Sequence, residues 1–136
     1  MTEQRQTARV ILYMGPSVLV LQAQGEDFTH LPGGGIDPGE DPLQCVMREL
    51  WEEIGYGLAY LRFLTILHHT WTTAPVEETM FLYSGILQRE TGTQPPLAQE
   101  SGLTAVWVPW WNVAHVNLQP RSVYPWIYSI NGRQPS

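Results

Sequence analysis

Residues 33–55 read Gly33-Gly34-Gly35-Ile36-Asp37-Pro38-Gly39-Glu40-Asp41-Pro42-Leu43-Gln44-Cys45-Val46-Met47-Arg48-Glu49-Leu50-Trp51-Glu52-Glu53-Ile54-Gly55. The first part is punctuated by glycine and proline, so residues 32–41 are expected to form turns and no regular element. At Asp41 the pattern changes. Asp41 suits an N-cap, Pro42 suits the first helical position and Gln44 can close a capping box. Gly55 suits the left-handed residue that stops a helix. The stretch therefore predicts a helix from Pro42 to Ile54.

On a helical wheel at about 100° per residue, Glu49, Glu52 and Glu53 share an arc of roughly 100°. Leu43, Met47, Leu50 and Ile54 occupy a separate arc, expected to face the core. Carboxylates at i, i+3 and i+4 repel one another. Taken alone, such a face also fits a solvated acidic surface. The glycines at 33–35 favour a different use, because they allow close backbone approach to a ligand. Clustered carboxylate oxygens on a rigid element suit Mg²⁺ or Mn²⁺, hard cations that prefer oxygen. No Cys/His cluster argues for zinc. Arg48, beside Glu49, can pair with a carboxylate and hold it, or be an ordinary helix ion pair.

Working outward, residues 8–14 and Val18 to Leu21 read as strands of a hairpin around Gly15-Pro16-Ser17. Gln22 to Thr29 reads as a polar loop. Leu61 to Thr70 and Glu78 to Arg89 read as paired strands, Glu90 to Gly102 as a polar loop, and Thr104 to Val108 as a last strand. Arg121 to Ile130 reads as a helix that Pro125 threatens to interrupt. Strands around a central helix, with a second helix later, imply a mixed α/β domain.

The chain has 136 residues, with 43% hydrophobic and 15% charged, which suits one globular domain over residues 1–136. A single cysteine, Cys45, allows no intrachain disulfide and suits a reducing, cytoplasmic compartment. Met1 to Gln6 opens no signal peptide, and no apolar run approaches the ~20 residues that span a bilayer. Net charge is −6, and all seven bases are arginines scattered along the chain. A basic stripe for duplex nucleic acid is missing. The lack of lysine removes Schiff-base chemistry and a P-loop.

The pattern Gly34, Glu40, then Arg48-Glu49-Leu50-Trp51-Glu52-Glu53-Ile54-Gly55-Tyr56 resembles the Nudix box. Tyr56 departs from it at a position that is usually aliphatic and serves packing. His30-Leu31-Pro32-Gly33-Gly34-Gly35 is similar to the segment that usually leads into the box, and Val106-Trp107-Val108-Pro109 to a common late strand of the family. The resemblance implies an α/β/α sandwich with a mixed β-sheet. It implies metal-dependent hydrolysis of a pyrophosphate linked to a nucleoside diphosphate. Glu52 and Glu53 would be principal Mg²⁺ or Mn²⁺ ligands, Glu49 a further ligand or the base, and the Gly33 carbonyl would complete the shell. Glu40 would lie near the site, and Arg48 would orient a glutamate.

Some relatives take a base or ligand from a later loop. Glu100 is the candidate here, with Glu77 and Glu78 behind it; each also fits an exposed acid. Gly34, Gly35, Trp71 and His69 are candidates for substrate binding. The six tryptophans suit base stacking, a core or a homodimer interface. Patterns marking the diadenosine polyphosphate, ADP-ribose, coenzyme A and NADH subclasses are not matched. Expected substrates are thus small nucleotides, with (d)NTPs ahead of ADP-ribose or nucleotide sugars. A non-catalytic nucleotide-sensing module is the alternative of another class.

Overall fold

The computed structural model describes residues 2–55, 58–71, 75–87 and 102–131. Its centre is β1, Glu3–Met14. Ala8, Val10 and Leu12 face one side of the sheet, and Ile11 and Tyr13 the other, all buried. A strand covered on both faces reads as an apolar run, as residues 8–14 do. The turn at Gly15, with φ +56°, returns the chain as β2, Ser17–Ala23.

Among the described residues four further strands join the sheet: β3 Gly33–Gly35, β4 Leu58–Trp71, β5 Val76–Leu87 and β6 Leu103–Pro109. The order is β4-β5-β1-β2-β6, with β3 on β1. β1 and β5 are parallel and the other pairs antiparallel, so the sheet is mixed. The expected strands are present with longer bounds; the expected end at Arg89 lies outside the described residues. β3 corrects the expectation of turns alone, since Gly33, Gly34 and Gly35 pair with Arg9, Ala8 and Thr7. Gly33 has φ +136°, and a Cβ there would overlap the Ala8 carbonyl oxygen. The residue that argued for a turn is what lets the strand lie this close.

The first helix, α1, spans Pro42–Ile54. Asp41 Oδ1 accepts the Gln44 N–H at 2.8 Å, and Gln44 Oε1 accepts the Asp41 N–H at 3.0 Å, closing the expected capping box. Gly55 ends the helix with φ +73°. The buried face differs from the expected one. Val46, Leu50 and Ile54 are buried with Cys45 and Glu53, whereas Leu43 is 48% and Met47 46% exposed. The buried arc is turned by about 70° toward the glutamates. That rotation brings Glu53 to the Gly33 amide and Cys45 beneath the Gly34 and Gly35 carbonyls.

A 3-10 turn at Arg121–Val123 leads into the second helix, α2, Tyr124–Asn131. Pro125 falls in its first turn, where the missing N–H has no intrahelical partner to lose. The two helices cover opposite faces of the sheet. Val46, Leu50 and Ile54 of α1 pack on Ala8, Val10, Leu12, Leu19 and Leu21. Val123, Tyr124 and Ile127 pack on Ile11, Val18, Val20, Met80 and Leu82. This is an α/β/α sandwich. Among the described residues no helix is long and apolar enough to cross a membrane.

Leu50 is buried in the α1 layer. Leu50→Ala should therefore lower unfolding free energy by about 2–5 kcal/mol, read from the urea midpoint at an unchanged m value.

Candidate metal and substrate site

Arg48 organises the polar face of α1. Its Nε and Nη2 donate to Glu40 Oε2 and Oε1 at 2.8 and 3.0 Å, a bidentate fork. Nη1 donates to Glu49 Oε1 at 2.9 Å and Glu52 Oε2 at 3.2 Å. Nη2 also reaches the Gly35 carbonyl at 3.1 Å, and Asp37 Oδ2 lies 3.4 Å away. One guanidinium thus meets four carboxylates. Its hydrogen bonds, helped by the Asp37 N–H, hold the Glu40 carboxyl down at about 2.

Glu53 is only 4% exposed, and its Oε1 accepts the Gly33 N–H at 2.9 Å. Glu49 lies against Gly34, where a Cβ would come within 2.7 Å of its carboxyl carbon. The Cys45 thiol donates to the Gly34 and Gly35 carbonyls at 3.4 Å each, and burial pushes its pKa up to about 11. The glycines of β3 and the glutamates of α1 are therefore fitted to each other. Among the described residues no three His, Cys, Asp or Glu side chains are already gathered as a metal cage. Arg48 stands between Glu49 and Glu52. The donor set fits a hard divalent cation in its chemistry: oxygen ligands on a fixed helix, with negative charge in excess of Arg48.

On the α2 side of the sheet lies a cavity of about 370 Å³. Arg9, Phe28, His30, Trp71, Glu78 and Gln119 are among the residues that line it. Arg9 joins it to the glycine strand, since it pairs in register with Gly33 and its Nη1 donates to the Leu31 carbonyl at 3.0 Å. Burial, reinforced by Arg9, holds the His30 pKa below its ordinary value, leaving a neutral ring at pH 7.

Residues 3–127 match the NUDIX domain family. The chain belongs to the Nudix family. An RNA pyrophosphohydrolase of Psychrobacter sp. (strain PRwf-1) is 53% identical over 38 residues, which is 28% of this chain and 22% of that protein. Another from Photorhabdus laumondii is 45% identical over 47 residues, 35% of this chain and 27% of that one. The chain thus spans about a quarter of the length of the curated relatives it matches. Over the whole fold it is similar to the Escherichia coli dihydroneopterin triphosphate pyrophosphohydrolase. The TM-score is 0.77 at 19% identity, covering 98% of this chain and 100% of the other.

The sequence expectations meet this Nudix domain unevenly. Arg48, Glu49, Glu52 and Glu53 come together with Gly33, Gly34 and Gly35. Trp71 lines the cavity, while His69 stands in β4 with its ring edge-on to Trp71 at 4.7 Å. Glu100 and Tyr56 lie outside the described residues. Glu78 is no exposed acid: it is 4% exposed and lines the cavity. Arg9 was not anticipated. Its signal was a charge set within the apolar run of residues 8–14.

Gly34→Ala should displace the Glu49 carboxyl while leaving the far-ultraviolet spectrum unchanged, and calorimetry should then show at least tenfold weaker Mn²⁺ binding. A second expectation concerns acid. The folded pKa of Glu40 lies below its ordinary 4.5, so its contribution to stability is full above that value and fades as pH falls toward 2. Arg48→Ala should therefore be less stable than the parent at neutral pH. The urea midpoints of the two proteins should converge on acidification through that window.

Proposed function

We propose that this Nudix domain hydrolyses a pyrophosphate bond in a nucleoside diphosphate linked to another group, with (d)NTPs the favoured substrates and Mg²⁺ or Mn²⁺ required. The observation that carries this is the fit of the α1 glutamates to the glycine strand: Glu53 on the Gly33 amide and Glu49 against Gly34. A polyphosphate is repelled by bare carboxylates, and a cation between them reverses that field. In this reading Glu52 and Glu53 hold the metal, with Glu49 and the Gly33 carbonyl completing its surroundings. When bound, the cation would neutralise the phosphates and lower the pKa of a water for attack at phosphorus.

The chain's own residues have separate tasks. Arg48 keeps Glu49 and Glu52 on one side of the helix, as a positioning residue. Glu49 is suited to accept a proton from the attacking water, and Glu100 is proposed as a further base. Gly34 and Gly35 give the phosphates close access to backbone, and Trp71 offers the base an aromatic wall. The pyrophosphohydrolase names of the relatives, one of them for a triphosphate substrate, support this class. ADP-ribose and nucleotide sugars stand second. A sensing module without turnover is disfavoured because every charged residue of the box is present.

Phosphate and pyrophosphate release from (d)NTPs, ADP-ribose, nucleotide sugars and dinucleoside polyphosphates, with each metal, tests the order. Glu53→Gln should fold normally and lose at least 100-fold in kcat at saturating Mg²⁺. Equal kcat in variant and parent would remove Glu53 from the reaction.

A further inference from the structure

The cavity contains a charge for which apolar packing gives no reason. Glu78 enters β5 buried, and a buried carboxylate is costly unless it is paired. Its Oε2 accepts from Thr7 Oγ1 at 2.6 Å and lies 3.6 Å from Arg9 Nε. Its Oε1 accepts from Trp71 Nε1 at 2.9 Å. Burial raises its pKa, but Arg9, Thr7, Trp71 and His69 together outweigh that and hold it below its ordinary value. Glu78 is therefore an anion that only accepts. A carboxylate has about four acceptor positions, so each oxygen keeps capacity beyond these bonds.

The walls suit a flat heterocycle. The Phe28 and Trp71 rings are 5.8 Å apart and tilted by 43°, and the indole is fixed by its own N–H on Glu78. The volume of about 370 Å³ is at the size of small-ligand pockets.

We propose that Glu78 determines base specificity by accepting two adjacent N–H donors, so that the cavity takes the edge on which a ring N–H stands beside the 2-amino group, as in guanine or a pterin. The inference builds on the nucleotide substrate proposed above and concerns its base. Other bases lack this edge. Adenine and cytosine set a ring-nitrogen lone pair beside their amino group, and uracil flanks its one N–H with two carbonyls. Each would turn an acceptor toward the carboxylate, with no hydrogen between. Discrimination here comes from leaving buried polar groups unpaired, which separates ligands more strongly than apolar fit does.

Calorimetric titration of the full chain in EDTA with GMP, neopterin monophosphate, IMP, AMP and UMP tests this without turnover. GMP, neopterin monophosphate or both should bind about tenfold more tightly than IMP, which lacks only the 2-amino group. Whichever of the two binds more tightly identifies the source of the edge. Glu78→Gln should bring the ratio to IMP near one. The parent's own preference needs no variant, so misfolding of Glu78→Gln would not spare the inference. Binding of all five with equal affinity would overturn it while leaving the nucleotide reading standing. No binding by any of them would overturn the inference, while hydrolysis of (d)NTPs with Mg²⁺ or Mn²⁺ would leave the nucleotide reading standing.

Discussion

Like charges on one helix face need something to hold them there. In α1 the acid at 49 lies at helical spacing from those at 52 and 53, and each of these two pairs repels at a cost of a few tenths of a kcal/mol. Arg48 offsets this by taking a fork to Glu40 and single bonds to Glu49 and Glu52. Glu40 comes from the loop before the helix, so the same guanidinium fixes the loop to the helix. The site depends on this cation, which joins the loop to Glu49 and Glu52 of the helix.

The backbone of β3 supplies the second half of the arrangement. Gly33 lies so close to β1 that a side chain would overlap it, and its amide then points at Glu53. Gly34 leaves the space that the Glu49 carboxyl fills. The strand pairing that builds the sheet and the placement of the acids are thus one event. The capping box at Asp41 and the stop at Gly55 set where the helix begins and ends, and so how far along it the glutamates stand.

Legibility followed the range of the interactions. The capping box, the Gly55 stop and the hairpin at Gly15 are local, and residues near in sequence specify them. The α1 orientation was not local. Leu43 and Met47 match the apolar arc on a wheel, yet they are exposed because Glu53 and Cys45 bind the glycine strand and turn the helix. The β3 strand was hidden for a related reason, since glycine argues for turns until a neighbouring backbone needs the room. For Glu78 the sequence left a base, a ligand or an exposed acid open, because its partners, Thr7, Arg9 and Trp71, come from other strands.

The spacing of glycine, arginine and glutamate over residues 34–55 was enough by itself to indicate the family and the acidic helix face, because a single helix fixes those side chains relative to one another. The parallel pairing of β1 with β5 is what brings Thr7 and Arg9 to Glu78, residues about seventy apart in the chain. No periodicity encodes such a meeting. A buried anion finds its donors only when the strands carrying them have been laid side by side.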